Sequence, residues 1–410
     1  MADLNILFIF HPVKNTLLDF SEDFLKLFLD TKNVFHLDNT EIYNKYGFCG
    51  AHNYIEKFAN NNNIDVIIYR NAPTDFDIDV YFFEKLRKNI FLVMMVGDTD
   101  HYYEVRDRYY AQAMDLVVVS DAVSIFRFRQ IGINSISFYD SLDTNKFYKI
   151  ENIQKNIDVS FVGNMRYKMG RFEYVNYLLR NNIFVETFGY GSLNGPATLE
   201  KKIEVYNRSK INLNFTGGAD ITRLTRKYQI HKRIKQLKGR IFEIATCGGF
   251  MLSEYVPGLE YVFEIGKEID VFYNKEEMLE KVKYYLGNED ERENIAKRGC
   301  LRALKDYDIK LTLPKLLSTI EEFKKKKQYK PSEIYLDKEF IINYSTYRVL
   351  LIIKFIKSRK WKFALEELKI ILKYRKLDWY QIRIFFIEEI LGSFPRIKSV
   401  LKSIFKKSKK

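Results

Sequence analysis

One feature limits this chain's folding most: short runs of β-branched and aromatic residues recur along it, separated by longer stretches with helical spacing. In the first half the runs are Ile6–Phe10, Val66–Tyr69, Ile90–Val96, Leu116–Val119 and Ile136–Tyr139, with helix-like segments such as Leu17–Leu29 and His52–Asn60 between them. Runs that are apolar throughout must be buried on both faces, and the helical stretches are the crossovers that parallel strands require. A polar connector over Asp143–Asn156 interrupts the rhythm. It resumes with runs at Val159–Val162, Phe184–Phe188, Ile211–Phe215, Phe250–Ser253 and Val262–Glu264. Helices are expected over Arg171–Arg180, Leu199–Ser209, Arg240–Cys247, Lys275–Leu286 and Glu289–Leu304. The fold class is therefore α/β: two consecutive βα domains, residues 1–150 and 151–323, facing a ligand cleft at the C-terminal edges of their sheets.

From Leu313 the strand signals vanish, Pro331 and Ser332 resemble a helix start, and residues 324–410 read as an all-helical extension. Helices are expected over Lys338–Lys357, Lys360–Tyr374, Trp379–Leu391 and Arg396–Phe405. This extension holds the chain's basicity. Of the formal charge of +14, residues 324–410 contribute +16, from 24 Lys and Arg against 8 Asp and Glu, so the preceding body is nearly neutral. A nucleic-acid partner is not expected, because helix-turn-helix, zinc-finger and aromatic RNA-binding patterns are absent from the sequence. Basic amphipathic helices instead suit an anionic membrane surface, with Ser399–Lys410 as the expected contact. The plain alternative is a helical cap packed on the second domain with its lysines in water, and the favoured reading combines the two: a packed bundle whose final segment meets the membrane or stays mobile. The tail's longest apolar stretch, Val349–Ile353, is far shorter than the roughly 20 residues of a membrane span. Cys49, Cys247 and Cys300 form neither a metal-ligand pattern nor a disulfide framework. Leu4–Phe10 reads as a buried first strand instead of a signal peptide. The expected location is cytoplasmic, peripheral on the inner face of the membrane.

Within the neutral body one segment stands out. Arg223, Arg226, Lys227, Lys232, Arg233, Lys235, Lys238 and Arg240 fall in a stretch with no acid from Ile221 to Phe242. The run leads into the expected helix Arg240–Cys247, whose N-terminus would itself attract an anion. Cations there suit a diphosphate. A solvated loop of a Lys-rich protein is the plain alternative.

The block that follows, Gly239-Arg240-Ile241-Phe242-Glu243-Ile244-Ala245-Thr246-Cys247-Gly248-Gly249-Phe250, resembles group 1 glycosyltransferases, especially their CgeB-like (spore-maturation) branch. The likeness begins at Asp158–Gly163, takes in Ile211–Phe215 and Phe263–Glu268, and ends near residue 318. It implies the GT-B fold, two Rossmann-like domains about a cleft, and transfer of a sugar from a nucleotide donor, UDP- or GDP-linked, held mainly by the second domain. Carried over by position, Glu243 is the carboxylate for the donor ribose and Arg240 the base facing the diphosphate. Gly248 and Gly249 make the turn into the next strand. Gly163 and Arg171 lie at the strand-to-helix passage, Asn214 ends a matched strand, and Glu268 matches a glutamate of unassigned role. Many retaining members carry a second glutamate eight residues before the first; here that position is Lys235. Retention and inversion both stay open.

An inverting reaction needs a base for the acceptor hydroxyl. His11 follows the first expected strand, and Asp98, Asp100 and His101 follow Ile90–Val96. Asp98 is the first choice and His11 the second. Asp98-Thr99-Asp100 also forms a D-x-D triplet, but such triplets recur by chance in an Asp-rich chain, so no metal and no cofactor beyond the donor is expected. The acceptor is a surface glycan, a lipid-linked intermediate or a protein. A GT-B sugar-nucleotide epimerase and a non-catalytic nucleic-acid- or membrane-binding protein are the competing functions.

Overall fold

The structure, a computed structural model, describes residues 4–12, 26, 33–70, 76–97, 99–120, 122–139, 143–165, 169–217 and 235–389. The first domain is built on β1 (Ile6–Phe10), β2 (Val34–Leu37), α1 (Asn39–Asn61), β3 (Val66–Arg70), α2 (Val80–Arg87) and β4 (Phe91–Val96). A helical stretch follows, α3 (Thr99–Tyr102) and α4 (Arg108–Ala111) with a π-turn between them. The domain's sheet is completed by β5 (Leu116–Val119), α5 (Ala122–Gln130) and β6 (Ser135–Ser137). All six strands are parallel, in the order β2-β1-β3-β4-β5-β6. The second domain runs through β7 (Ile157–Val162), α6 (Met169–Arg180), β8 (Val185–Phe188), α7 (Leu199–Arg208), β9 (Ser209–Asn214), α8 (Arg240–Thr246), β10 (Met251–Glu254) and β11 (Asp270–Phe272). Its five strands are parallel too, in the order β11-β10-β9-β7-β8. Then come α9 (Lys275–Gly287), α10 (Glu289–Asp306), α11 (Ile309–Lys325), α12 (Lys338–Lys357), α13 (Trp361–Tyr374) and α14 (Trp379–Glu389).

Strand order reverses between β1 and β3 in the first sheet and between β7 and β9 in the second. At such a switch point the loops leave in opposite directions and open a crevice at the C-terminal strand edge, where α/β proteins hold ligands.

Two strands differ from expectation. β2 is a half-buried edge strand that includes His36, so it lacks a continuous apolar run. Val262 and Phe263 are not a strand: they are buried in a loop held by the Tyr307 hydroxyl, which donates to the Val262 carbonyl at 2.7 Å, and the strand forms eight residues later at Asp270–Phe272. Leu17–Leu29, apart from residue 26, and Arg396–Phe405 lie outside the described residues.

Parallel strands bury both faces, and the first sheet's cover comes from far along the chain. Ile6, Phe8, Phe10, Val66, Ile68, Val93 and Val118 meet Ile309, Leu313, Leu316, Leu317 and Ile320 of α11. Leu7, Ile9, Ile67, Leu92 and Val117 share the opposite core with α1 and α2 and, through them, with Phe340, Tyr344, Leu350, Leu351 and Phe355 of α12. The helical tail therefore packs on the first domain, not the second. Between α11 and α12 the chain is strapped across the first domain: Lys327 Nζ donates to Asp115 Oδ2 (2.8 Å) and the Ile90 carbonyl (2.7 Å), while Arg87 donates to the Lys330 carbonyl (2.7 Å).

The tail is pinned by a polar cluster in this core. Arg348 and Glu367 are fully buried and paired at 3.2 Å; Arg348 also donates to the Tyr43 hydroxyl (3.2 Å) and the Phe76 carbonyl, and Tyr43 donates to Glu367. The guanidinium lies over the Tyr344 ring, 4.2 Å from its centroid. Beside it α1 kinks at Gly47, whose φ of 73° favours glycine, and a Cβ there would sit 2.5 Å from the Phe363 ring. Glu367→Ala strands a buried guanidinium and is expected to cost about 3–5 kcal/mol in chemical denaturation. Arg348→Met with Glu367→Leu removes both charges and is expected to recover most of that loss; a double variant as unstable as the single one would contradict the ion-pair account.

His52 gives the same core a pH dependence. Its ring lies 4.4 Å from both Phe48 and Phe82, and Nε2 accepts from the Asp79 amide at 3.1 Å, which requires a neutral imidazole. Burial, aided by the Arg348 charge, pushes its pKa down to about 3. The folded value lies below the unfolded one, so this contribution is complete above about pH 6.5 and falls by about 1.4 kcal/mol per unit below it. Urea midpoints should drop between pH 7 and 5.5, and His52→Gln should flatten that slope.

Candidate active site

The second sheet's switch point gathers most of the expected donor residues. Gly163 follows β7, Asn214 ends β9, Arg171 lies in the first turns of α6 and Arg240 opens α8. The Arg171 and Arg240 guanidiniums both lie over the Phe161 ring, 5.4 and 4.9 Å from its centroid. Arg171 is buried and donates to the Asn164 carbonyl at 2.5 Å. Arg240 Nη1 donates to Asn214 Oδ1 at 2.8 Å, and Asn214 Nδ2 in turn donates to Ser253 Oγ at 2.8 Å, which fixes the amide's orientation. No carboxylate among the described residues pairs with Arg240. A half-buried cation held by a neutral amide retains its full attraction for an anion. Gly163 makes room for it: a Cβ there would lie 2.4 Å from Arg240 Nη2.

The helix that Arg240 opens contributes little by itself. α8 has seven residues, and the amides of Ile241, Phe242 and Glu243 already donate to carbonyls of Lys238 and Gly239. These three amides are thus not free for an anion, and the cations at this edge are the guanidinium groups of Arg171 and Arg240. Of the basic run, Arg223, Arg226, Lys227, Lys232 and Arg233 lie outside the described residues.

Glu243 stands one turn beyond Arg240 and is already engaged. Its Oε2 accepts from Tyr206 (2.9 Å) and pairs with the buried Lys202 ammonium (2.6 Å). Both contacts use one oxygen. Gly248 and Gly249 form the turn from α8 into β10; Gly248 has φ 68°, and a Cβ on Gly249 would lie 2.7 Å from Asn212 Nδ2. Glu268 does not join the group. Its Oε2 accepts from the Glu264 amide at 2.8 Å and closes its own surface turn.

One residue of the site was missed. Glu254 ends β10, is buried, accepts from the Thr216 amide (2.9 Å) and hydroxyl (3.0 Å), and lies 3.3 Å from Lys235 Nζ. A carboxylate therefore faces position 235 even though the residue there is a lysine. Tyr174 is pushed up to about 12, chiefly by burial and then by the Glu254 charge. An acid closing an apolar run was the available signal.

At the first sheet's switch point His11 follows β1. Its Nδ1 lies 2.9 Å from Asp38 Oδ2 and 3.0 Å from Oδ1, and Asp38 also caps α1 by accepting from the Glu41 amide at 3.0 Å. A carboxylate only accepts, so Nδ1 carries a proton, and in the neutral imidazole Nε2 presents the lone pair. Asp38, which the sequence did not single out, is the positioning partner. Beside the pair opens a cavity of about 430 Å³ lined by Asp38, Glu41, Lys45, Tyr46 and Tyr54 among others. The Tyr46 and Tyr54 rings stack at 5.0 Å. Asp98 and the side chains of Asp100 and His101 lie outside the described residues. Among the described residues no three His, Cys, Asp or Glu side chains are placed to hold a metal ion.

Residues 151–318 match the glycosyl transferase-like family (Glyco_trans_1_2). No curated protein matches the chain. The structure is similar to HepE of Anabaena in complex with UDP, with a TM-score of 0.59 at 11% identity over 78% of this chain and 100% of that one. It is also similar to a glycosyltransferase from Rickettsia africae (TM-score 0.53, 11% identity, 80% of this chain and 100% of that one). Sucrose-phosphate synthase of Thermosynechococcus elongatus is a third similar structure (TM-score 0.53, 8% identity, 72% and 82% covered). The fold is GT-B.

Gly163→Ala forces a methyl group against the Arg240 guanidinium. By calorimetry it is expected to weaken pyrophosphate binding by about tenfold or more, the loss of one charge-assisted contact of about 1.4 kcal/mol. Wild-type affinity in this variant would remove Arg240 from the anion site.

Proposed function

We propose that the protein transfers a sugar from a nucleotide-sugar donor, held at the C-terminal edge of the second sheet, to a hydroxyl bound at the edge of the first. The observation that carries this reading is the Arg171–Arg240 pair over Phe161, with Arg240 meeting no carboxylate among the described residues and Gly163 leaving it room. Two fixed cations at a sheet's switch point suit a diphosphate, and they meet the charge that develops on it as it leaves. Glu243 keeps Oε1 for the ribose hydroxyls while Lys202 and Tyr206 hold Oε2. The donor is UDP-linked; the similarity to HepE, which was solved with UDP, supports that choice over GDP. Within the family, the Arg240–Phe250 block favours the CgeB-like branch.

His11 is the base of this reaction, with Asp38 holding its tautomer. The acceptor oxygen bonds to the anomeric carbon and the bond from that carbon to the diphosphate oxygen breaks. Its electron pair leaves with the nucleoside diphosphate, and the acceptor proton passes to His11 Nε2. Such a single displacement inverts the anomeric configuration. No step in it calls on a metal ion. The adjoining cavity, lined by stacked tyrosines and two carboxylates, is suited to a sugar-bearing acceptor.

The test is a thermal-shift series with UDP, GDP and UDP-glucose on the wild type, Arg240→Ala and Glu243→Gln. Glu243→Ala is avoided because it would strand the buried Lys202. UDP should raise the melting temperature of the wild type and do so much less in Arg240→Ala. A wild type indifferent to every nucleotide, or an undiminished shift in the variant, would refute the donor site. Once an acceptor is in hand, His11→Ala should lower kcat by about 100-fold or more with the donor KM little changed; isomerised donor without transfer would instead mark an epimerase.

A further inference from the structure

The outward face of α13 has the wrong composition for a helix meeting water. Trp361, Leu365, Leu368 and Leu372 follow one another at helical spacing and are 41–60% exposed. The other exposed residues of the helix are Lys362, Lys369 and Lys373. Its two acids are turned away: Glu367 is buried against Arg348, and Glu366 accepts from the Cys49 amide at 3.3 Å. The face continues into exposed Arg375, Lys376, Trp379 and Tyr380. The inward side is apolar as well, with Phe363, Ala364 and Ile370 in the core shared with α12 and α1 and Ile371 buried beside them. A surface helix normally turns charged and polar residues outward, so an apolar stripe edged only by lysine needs a partner.

We propose that this face of α13 docks the protein on an anionic lipid bilayer. Leucines and tryptophan would enter the headgroup boundary while Lys362, Lys369 and Lys373 extend to lipid phosphates, the division of labour of interfacial helices. Charge selects this occupant. A second copy packed face to face would set three lysines against three lysines. The chain's own last residues, 390–410, hold seven Lys and Arg and no acid, so they are repelled by the same face. The contact lies on the folded helix Trp361–Tyr374, upstream of the expected Ser399–Lys410, which is outside the described residues.

Its position adds a consequence for the acceptor, which rests on the glycosyltransferase reading above. α13 sits on the kink of α1, where Phe363 meets Gly47 and Lys360 donates to the Asn44 carbonyl. The turns of α1 just before that kink carry Glu41, Lys45 and Tyr46 of the cavity beside His11. Docking through α13 therefore brings the cavity to the bilayer surface and selects a lipid-linked acceptor.

The test is flotation of the full chain with vesicles of phosphatidylcholine alone or mixed with phosphatidylglycerol. The wild type should float with the anionic vesicles, weakly with neutral ones, and less as salt rises. Leu365→Gln with Leu372→Gln alters only exposed side chains. This variant should lose vesicle affinity by about tenfold or more with an unchanged melting temperature and an unchanged UDP shift. Undiminished flotation of the variant, equal binding to neutral vesicles, or a wild-type dimer that the double substitution dissociates would each overturn the docking proposal. An absent UDP shift in the wild type would count against the donor site alone and leave the docking result standing.

Discussion

A sheet of parallel strands has no wet face, and that requirement organises this molecule. The first sheet is apolar on both sides, with Leu7 and Ile9 pointing one way and Ile6, Phe8 and Phe10 the other. Helices from beyond its own strands take part in covering it. One face receives α11, which follows the whole second domain, and the other core is completed by α12. The C-terminal helices are thus part of the first domain's interior. The buried Arg348–Glu367–Tyr43 cluster fixes their seating because a misplaced helix would leave a charge without a partner in the core.

The same topology decides where chemistry is possible. Strand order reverses once in each sheet, and each reversal places a strand end, and the loop after it, at a crevice. In the second sheet that position holds two guanidiniums and a residue without a Cβ; in the first it holds an imidazole oriented by a carboxylate. On the reading proposed above, one edge takes the anion and the other accepts a proton. These are the complementary needs of a group transfer that expels a diphosphate.

Some of this was legible along the chain. Continuous apolar runs located the interior strands because that signal is local; Gly163 and Arg171 were picked out at a strand-to-helix passage and Arg240 by the family resemblance, and the fold brings the three together. Two of the four edge strands escaped, whereas the runs at Ile136–Tyr139 and Phe184–Phe188 did mark the edge strands β6 and β8. β2 is short, half-buried and carries His36, and β11 is only three residues long, whereas the buried loop at Val262 and Phe263 imitated a strand. Partners escaped for another reason. Glu254 follows an apolar run and Asp38 a short strand interrupted by His36, but nothing nearby indicates that one meets Thr216 and Lys235 or that the other meets His11.

The basic tail shows the division most clearly. Its excess of Lys and Arg, its helical spacing and its separation from a neutral body are properties of the sequence alone, since charge and periodicity need no folding to be counted. Which domain it joins is not such a property. Tyr43 and Glu367 lie 324 residues apart and meet because two uncovered faces and one buried ion pair must be satisfied together. Only the tertiary structure could separate the lysines used inside, such as Lys327 on Asp115, from those left outside with Trp361 and Leu365. Burial sorts identical side chains into different roles, and burial is a property of the assembled fold.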